Sequence, residues 1–178
     1  MIGLPNSDTE SEILTAREII AAGADGARVY PTVVFYDTEL ASMTERKEYV
    51  PLSNEDAVMR TKAVLNVFDR AGVPCIRVGL QASENLSDED CVMAGANHSA
   101  IGELAMGELY YERICDEIEK HGYAGGELTV LVPVGSVSKA VGQKKKNKDR
   151  ILQKYGFRKI KILESPDLVG YNVKIQHK

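Results

Sequence analysis

Met1-Ile2-Gly3-Leu4-Pro5, then Thr9-Glu10-Ser11-Glu12, then Ala27-Arg28-Val29-Tyr30-Pro31 are the three segments whose order decides the fold. Met1 to Leu4 reads as a short strand and Asn6-Ser7-Asp8 as a turn. Thr9 and Glu12 have the spacing of a capping box, in which hydroxyl and carboxylate each take the other residue's backbone N–H. A helix then runs to about Ala22, with Ile13, Ala16 and Ile20 on one face and Gly23 to end it. Ala27 to Tyr30 is a second strand, closed by Pro31. An antiparallel hairpin needs no helical crossover, so strand–helix–strand predicts parallel pairing in an α/β sheet or barrel.

Outward from this unit, Thr38 to about Arg46 reads as a short helix. Ser53 caps a long one, where Glu55 and Asp56 suit the positive end of the dipole. Val58, Leu65 and Phe68 share its apolar side, and Gly72 closes it. Cys75 to Leu80 is a third strand and Gln81 to Ala96 a polar loop. A helix from about His98 to Lys120 carries Ile101, Leu104, Tyr111, Cys115 and Ile118 as a stripe. Gly122 and Gly125-Gly126 mark a boundary, giving domains 1–124 and 125–178. The second reads as strand Leu128–Val132, helix Val137–Val141 broken by Gly142, helix Asn147–Tyr155 ended by Gly156, and strand Lys159–Leu163. A terminal strand, Val169 to Ile175, is expected beside the last of these.

Composition narrows the function classes. The 178 residues carry a net charge of −4, but Glu127 to Lys178 alone has 12 Lys/Arg against 4 Asp/Glu, a balance of +8. A basic C-terminal module points to nucleic acid. No run approaches the roughly 18 apolar residues of a membrane span, and the N-terminal residues do not resemble a signal peptide, so the expected location is cytoplasmic. Cys75, Cys91 and Cys115 are odd in number and widely separated, which argues against a disulfide framework and offers no CxxC metal pair. His98, His121 and His177 lack metal-ligand spacing. There is no Walker loop and no GxSxG elbow.

Ile2-Gly3-Leu4-Pro5, Arg28-Val29-Tyr30-Pro31-Thr32 and Thr38-Glu39-Leu40 resemble the last two strand units of radical S-adenosylmethionine (SAM) partial barrels, with the elongator-catalytic-subunit group the nearest. The series continues through Tyr49-Val50-Pro51-Leu52-Ser53, Ile76-Arg77-Val78-Gly79-Leu80-Gln81 and Gly102-Glu103-Leu104. The resemblance implies a barrel remnant in which Gly3, Leu4, Pro5, Tyr30, Pro31 and Thr32 form a wall of the SAM pocket, with Arg77 and Gln81 at its closing side. It also implies SAM and a 4Fe-4S cluster on a CxxxCxxC loop in the parent enzyme. This sequence has no such loop, so full binding of either group and catalysis by this chain alone are not expected. The partner would be the missing N-terminal barrel half, or a second copy joined at the exposed sheet edge.

Gly142-Gln143-Lys144-Lys145-Lys146-Asn147-Lys148 lies between the two helices of the β-α-α-β module, which resembles a KH domain. There a GxxG loop clamps a nucleic-acid backbone. Lys145 stands where the second glycine would be, but the added lysines suit phosphate. These seven residues are therefore candidate nucleic-acid contacts. By resemblance the parent acts on RNA, possibly tRNA; the alternative is a non-catalytic RNA-binding protein.

Overall fold

Backbone pairing at the start of the chain amounts to one residue. In the computed structural model, which describes residues 1–80 and 91–178, Ile2 makes a single parallel bridge to Pro31. Its N–H donates to Tyr30 O and its carbonyl accepts from Thr32 N–H, both at 2.8 Å. The expected first strand is reduced to that bridge. The chain falls into two compact units, Met1–Ala105 and Met106–Lys178.

In the first unit, α1 (Thr9–Ala21) is capped by Asp8 rather than by Thr9. Asp8 accepts from Ser11 N–H and Ser11 Oγ from Asp8 N–H, at 2.8 and 2.9 Å. Both residue sets satisfy the box pattern; the Asp8–Ser11 solution leaves the Glu12 carboxylate for the interior. Gly23 ends the helix as expected, with φ of 83°. Strand β1 (Ala27–Val29) leads to β2 (Val33–Phe35), α2 (Glu39–Glu45), α3 (Asn54–Arg70), β3 (Cys75–Val78), β4 (Val92–Gly95) and α4 (Ile101–His121). The Thr38 and Ser53 hydroxyls cap α2 and α3 by accepting from Ala41 and Asp56 N–H.

β1 and β3 pair in parallel, whereas the parallel pairing expected of the opening unit is confined to the Ile2–Pro31 bridge. The register shifts between Ala27 and Arg28, so Ile76 is passed over. Ala16 of α1 and Val64 and Phe68 of α3 bury against Ile2 and Val29. Each such aliphatic or aromatic side chain contributes about 1.5–3 kcal/mol when fully buried. β2 and β4 form an antiparallel pair, covered by Ala41 and Tyr49. β4 falls within the segment read as loop. Of that segment, residues 81–90 lie outside the described residues.

In the second unit, β5 (Glu127–Pro133), α5 (Val137–Val141), α6 (Lys146–Tyr155), β6 (Lys159–Ser165) and β7 (Lys174–His177) follow in that order. The β-α-α-β order of the sequence reading is present, and its two strands are parallel neighbours. The terminal strand β7 pairs antiparallel with β5 instead of β6, giving the order β6-β5-β7. Leu128, Val130 and Val132 of β5 bury against Tyr110, Ile114 and Ile118 of α4, Ala140 of α5 and Ile151 of α6. Alternation along β5 puts these three residues on one face, so all the helices cover the same side of the sheet.

Candidate functional sites

Gly3, next to the Ile2 bridge, is enclosed by Glu12 of α1 and by Tyr49 and Leu52 of the segment before α3. Its φ is +82°, and a Cβ there would meet Leu52 Cδ1 at 2.5 Å. Its N–H donates to Glu12 Oε1 and its carbonyl accepts from the Tyr49 hydroxyl, both at 2.6 Å. Glu12 in turn holds Arg60 of α3 through Nε, at 2.9 Å, and through Nη2. Ser7 donates to Glu12 and accepts from Arg60. Leu4 O takes Ser7 N–H at 3.0 Å across Pro5 and Asn6. With φ of 60° at Asn6, and proline before it, this is the geometry of a type II turn. Burial pushes the Tyr49 phenol up, against the opposing pull of Arg60, so it is kept as a donor.

Gly3, Leu4 and Pro5 follow Ile2, whose bonds to Tyr30 and Thr32 and bridge to Pro31 join the two segments. Thr32 Oγ1 adds a second bond to Ile2 O at 2.8 Å. Arg77 is exposed on β3 and lies in register with Arg28. Gln81 lies outside the described residues. The polar groups of this wall are largely consumed internally. Glu12 and Tyr49 take the N–H and C=O of Gly3, and Thr32 takes the C=O of Ile2. The accessible part of the two segments is exposed Leu4 with half-buried Pro5 and Tyr30. Glu12, Tyr49 and Arg60 are the residues that sequence reasoning missed here.

The cation loop of the second unit is built from unusual backbone. Gly142, with φ of 77°, terminates α5, and a Cβ on it would meet Asn147 Cγ at 2.8 Å. Lys144 and Lys145 both take positive φ, 51° and 65°. The left-handed turn is thus made by lysine where a glycine was missing from the pattern, at a cost of about 1–2 kcal/mol per residue. Lys145 precedes α6 without supplying a side-chain cap. Of the seven candidate residues, Asn147 is not presented: it is 2% exposed and donates to Gly107 O and Ala140 O at 2.7 and 3.3 Å. Lys146 pairs with Glu108 at 3.3 Å. Gln143, Lys144 and Lys145 are exposed and Lys148 half-buried.

Arg150 grips both Glu108 oxygens at 2.8 Å and stacks over the Tyr111 ring at 3.6 Å. Burial alone would raise the Glu108 carboxyl, but Arg150 and Lys146 outweigh it and hold the pKa below its ordinary 4.5. A depressed carboxylate contributes stability above its unfolded pKa, and the contribution disappears as pH falls through the folded value. Acid titration of thermal stability should therefore show a loss of about 1 kcal/mol below pH about 4.5 that Glu108→Gln lacks. Parallel acid limbs for the two proteins would refute the pairing. A further feature absent from the sequence reading is a ring stack: His121 on Tyr123 at 5.2 Å and Tyr123 on His177 at 4.8 Å.

Residues 24–111 match the family model of the Radical_SAM C-terminal domain. Over that stretch the chain is similar to the C-terminal domain of radical SAM proteins. The match runs from the end of α1 through β1, β2, α2, α3, β3 and β4 into α4, and includes Tyr30, Pro31, Thr32 and Arg77. Gly3 to Pro5 and the cation loop lie outside it. No curated protein matches the chain. A radical SAM parent implies SAM and a 4Fe-4S cluster, which takes thiolates as ligands. The thiols of this chain do not suit one. Cys75 is packed against the core beside Val29 and Phe68, and burial, with Asp69 nearby, pushes it up to about 11. Cys115 is buried on α4. Among the described residues no three His, Cys, Asp or Glu side chains gather as a metal site. No helix among them is long and apolar enough to cross a membrane.

Proposed function

We propose that this chain is the C-terminal part of a radical SAM enzyme of the elongator-catalytic-subunit kind, acting on RNA, with tRNA as the candidate substrate. The observation that carries the radical SAM part is the domain match at residues 24–111, joined to the Ile2 bridge that links Gly3–Pro5 to Tyr30–Thr32. In this reading those residues wall the SAM pocket by shape, Arg77 and Gln81 flank it, and the cluster is held elsewhere in the parent. SAM bound with such a cluster supplies the radical chemistry; these residues orient it and exclude water.

The RNA part is supported by the +8 balance of residues 127–178 and by the cation loop in its KH-like β-α-α-β frame. Lys144, Lys145 and Lys148 surround a helix start with no side-chain cap, a place suited to phosphate. A tRNA titration at low salt should give binding that weakens steeply with salt, and Lys144→Ala/Lys145→Ala/Lys148→Ala should weaken it about tenfold or more. Absence of binding by the parent chain at low salt refutes the RNA reading.

The partner proposed for the first unit is the N-terminal barrel half, or a second copy, lying along β1. Beside that strand is an open cavity of about 260 Å³ lined by Ile2, Ala16, Ile19, Ala27 and Phe68. Light scattering of the isolated chain should report dimers or larger species; a clean monomer at high concentration overturns this. The basic C-terminal unit alone would equally serve a second reading, a non-catalytic RNA-binding protein located, like the first, in the cytoplasm. An in-frame CxxxCxxC segment in the upstream coding sequence decides for the enzyme.

A further inference from the structure

The helices of the second unit cover one face of its sheet, and the register defines what stands on the other. Thr129 is opposite Lys161 on β6 and Gln176 on β7; Leu131 is opposite Leu163 and Lys174. Glu127 is opposite Lys159 and exchanges backbone hydrogen bonds with Lys178, at 2.7 and 2.9 Å. Alternation carries all nine residues to the uncovered face. It holds four lysines, Lys159, Lys161, Lys174 and Lys178, against one carboxylate, Glu127. The lysines are exposed, and none forms a salt bridge among the described residues. Thr129 and Gln176 add hydrogen-bonding groups, and Leu131 with Leu163, which is 49% exposed, forms an apolar patch across β5 and β6.

We propose that this open sheet face is a second RNA-contacting surface, separate from the loop at Gly142–Lys148. The inference rests on the reading of the chain as RNA-directed and adds to it where the polymer goes. Lys159 and Lys161 stand two residues apart on one strand, about 6.6 Å, a spacing that brings two cations to one stretch of extended backbone. The apolar patch of Leu131 and Leu163 offers a floor to base faces beside Lys161 on β6 and Lys174 on β7. The cation loop lies on the helix side of the same sheet, so lysines stand on both sides of a small unit. That arrangement suits a long polyanion passing around it better than a compact acidic peptide seated on one side.

The test uses the full chain and a fluorescent single-stranded RNA of about 20 nucleotides, titrated between about 50 and 200 mM salt. Each lysine–phosphate contact on a single strand contributes about 0.7 to the slope of log K against log salt. Lys159→Gln/Lys161→Gln/Lys174→Gln should therefore lower the slope by about 2 and weaken low-salt binding about tenfold. Lys159→Arg/Lys161→Arg/Lys174→Arg should keep both, which separates charge from loss of structure. If only the loop variant weakens binding, the sheet proposal fails and the RNA reading stands. If only the sheet variant weakens it, the proposal holds and the loop is not a contact. Equal affinity for poly-glutamate, with the same dependence on the sheet lysines, overturns the proposal in favour of an acidic polypeptide. No RNA binding by the unsubstituted chain overturns both.

Discussion

Replacing Gly102 with alanine is expected to cost the first unit about 3 kcal/mol, a fall of roughly 10 °C in its unfolding midpoint. Gly102 lies in the first turn of α4, where its Cβ would run into the carbonyl oxygen of Val78 and stand 2.8 Å from Val78 C. Across the contact, Gly79 has φ of +79°, and a Cβ on it would lie 2.8 Å from Gly102 N. Two glycines thus let a helix start touch the end of β3, backbone against backbone. Backbone cannot swing aside as the tip of a side chain can, so relief requires α4 to move away from the sheet. Gly72→Ala, in the same unit, is the comparison. Its φ is +72° and nothing lies within 4 Å of the added methyl, so only conformational strain remains, about 1–2 kcal/mol. Equal midpoint shifts for the two variants would show that the close approach is not what the fold depends on.

What could be read in advance follows from how local each signal is. The helices were legible because periodicity and caps are written within a few residues. Ser53 opens α3, Thr38 opens α2, and α5 occupies Val137–Val141 as expected. β2 and β4 were not legible, since three or four residues are too few for period-2 alternation and β2 follows directly on Pro31. The pairing of β7 with β5 depends on sheet order, which no local pattern encodes. The same division holds at the sites. Gly3–Pro5 and Tyr30–Thr32 were singled out by family resemblance, and strand–helix–strand order only brought the two segments side by side, where the structure has the Ile2–Pro31 bridge. Tyr49 and Arg60, bonded to Gly3 and Glu12 from 46 and 48 residues away, could not. Within the lysine run, Asn147 looks like one more polar contact until its amide is found beneath Gly107 and Ala140. The lysines of the open sheet face are scattered through the last twenty residues, and only the register assembles them.

Arg60→Met is expected to destabilise the first unit by about 3–5 kcal/mol, the cost of leaving one member of a buried ion pair without its counter-charge. Glu12 is only 5% exposed at its side chain and Arg60 14%, so water cannot replace the lost guanidinium at either oxygen. The carboxylate still takes Gly3 N–H and the Ser7 hydroxyl, but these neutral donors do not supply the counter-charge that Arg60 gave. Removing both charges, in Glu12→Gln/Arg60→Met, should restore part of the loss, because a neutral amide can keep the Gly3 bond without needing a cation. The double variant is therefore expected to be more stable than Arg60→Met alone. Additive losses would mean that the pair contributes nothing by its coupling. The consequence for function runs through Gly3: its N–H is held by Glu12 and its carbonyl by Tyr49, so loosening the first frees the turn that shapes the proposed SAM wall. Hydrogen exchange at the Gly3 amide should accelerate in Arg60→Met and recover in the double variant, whereas exchange across β5 and β6 should be unchanged in both. An unaltered Gly3 amide in Arg60→Met would show that the ion pair supports the helices without positioning the wall.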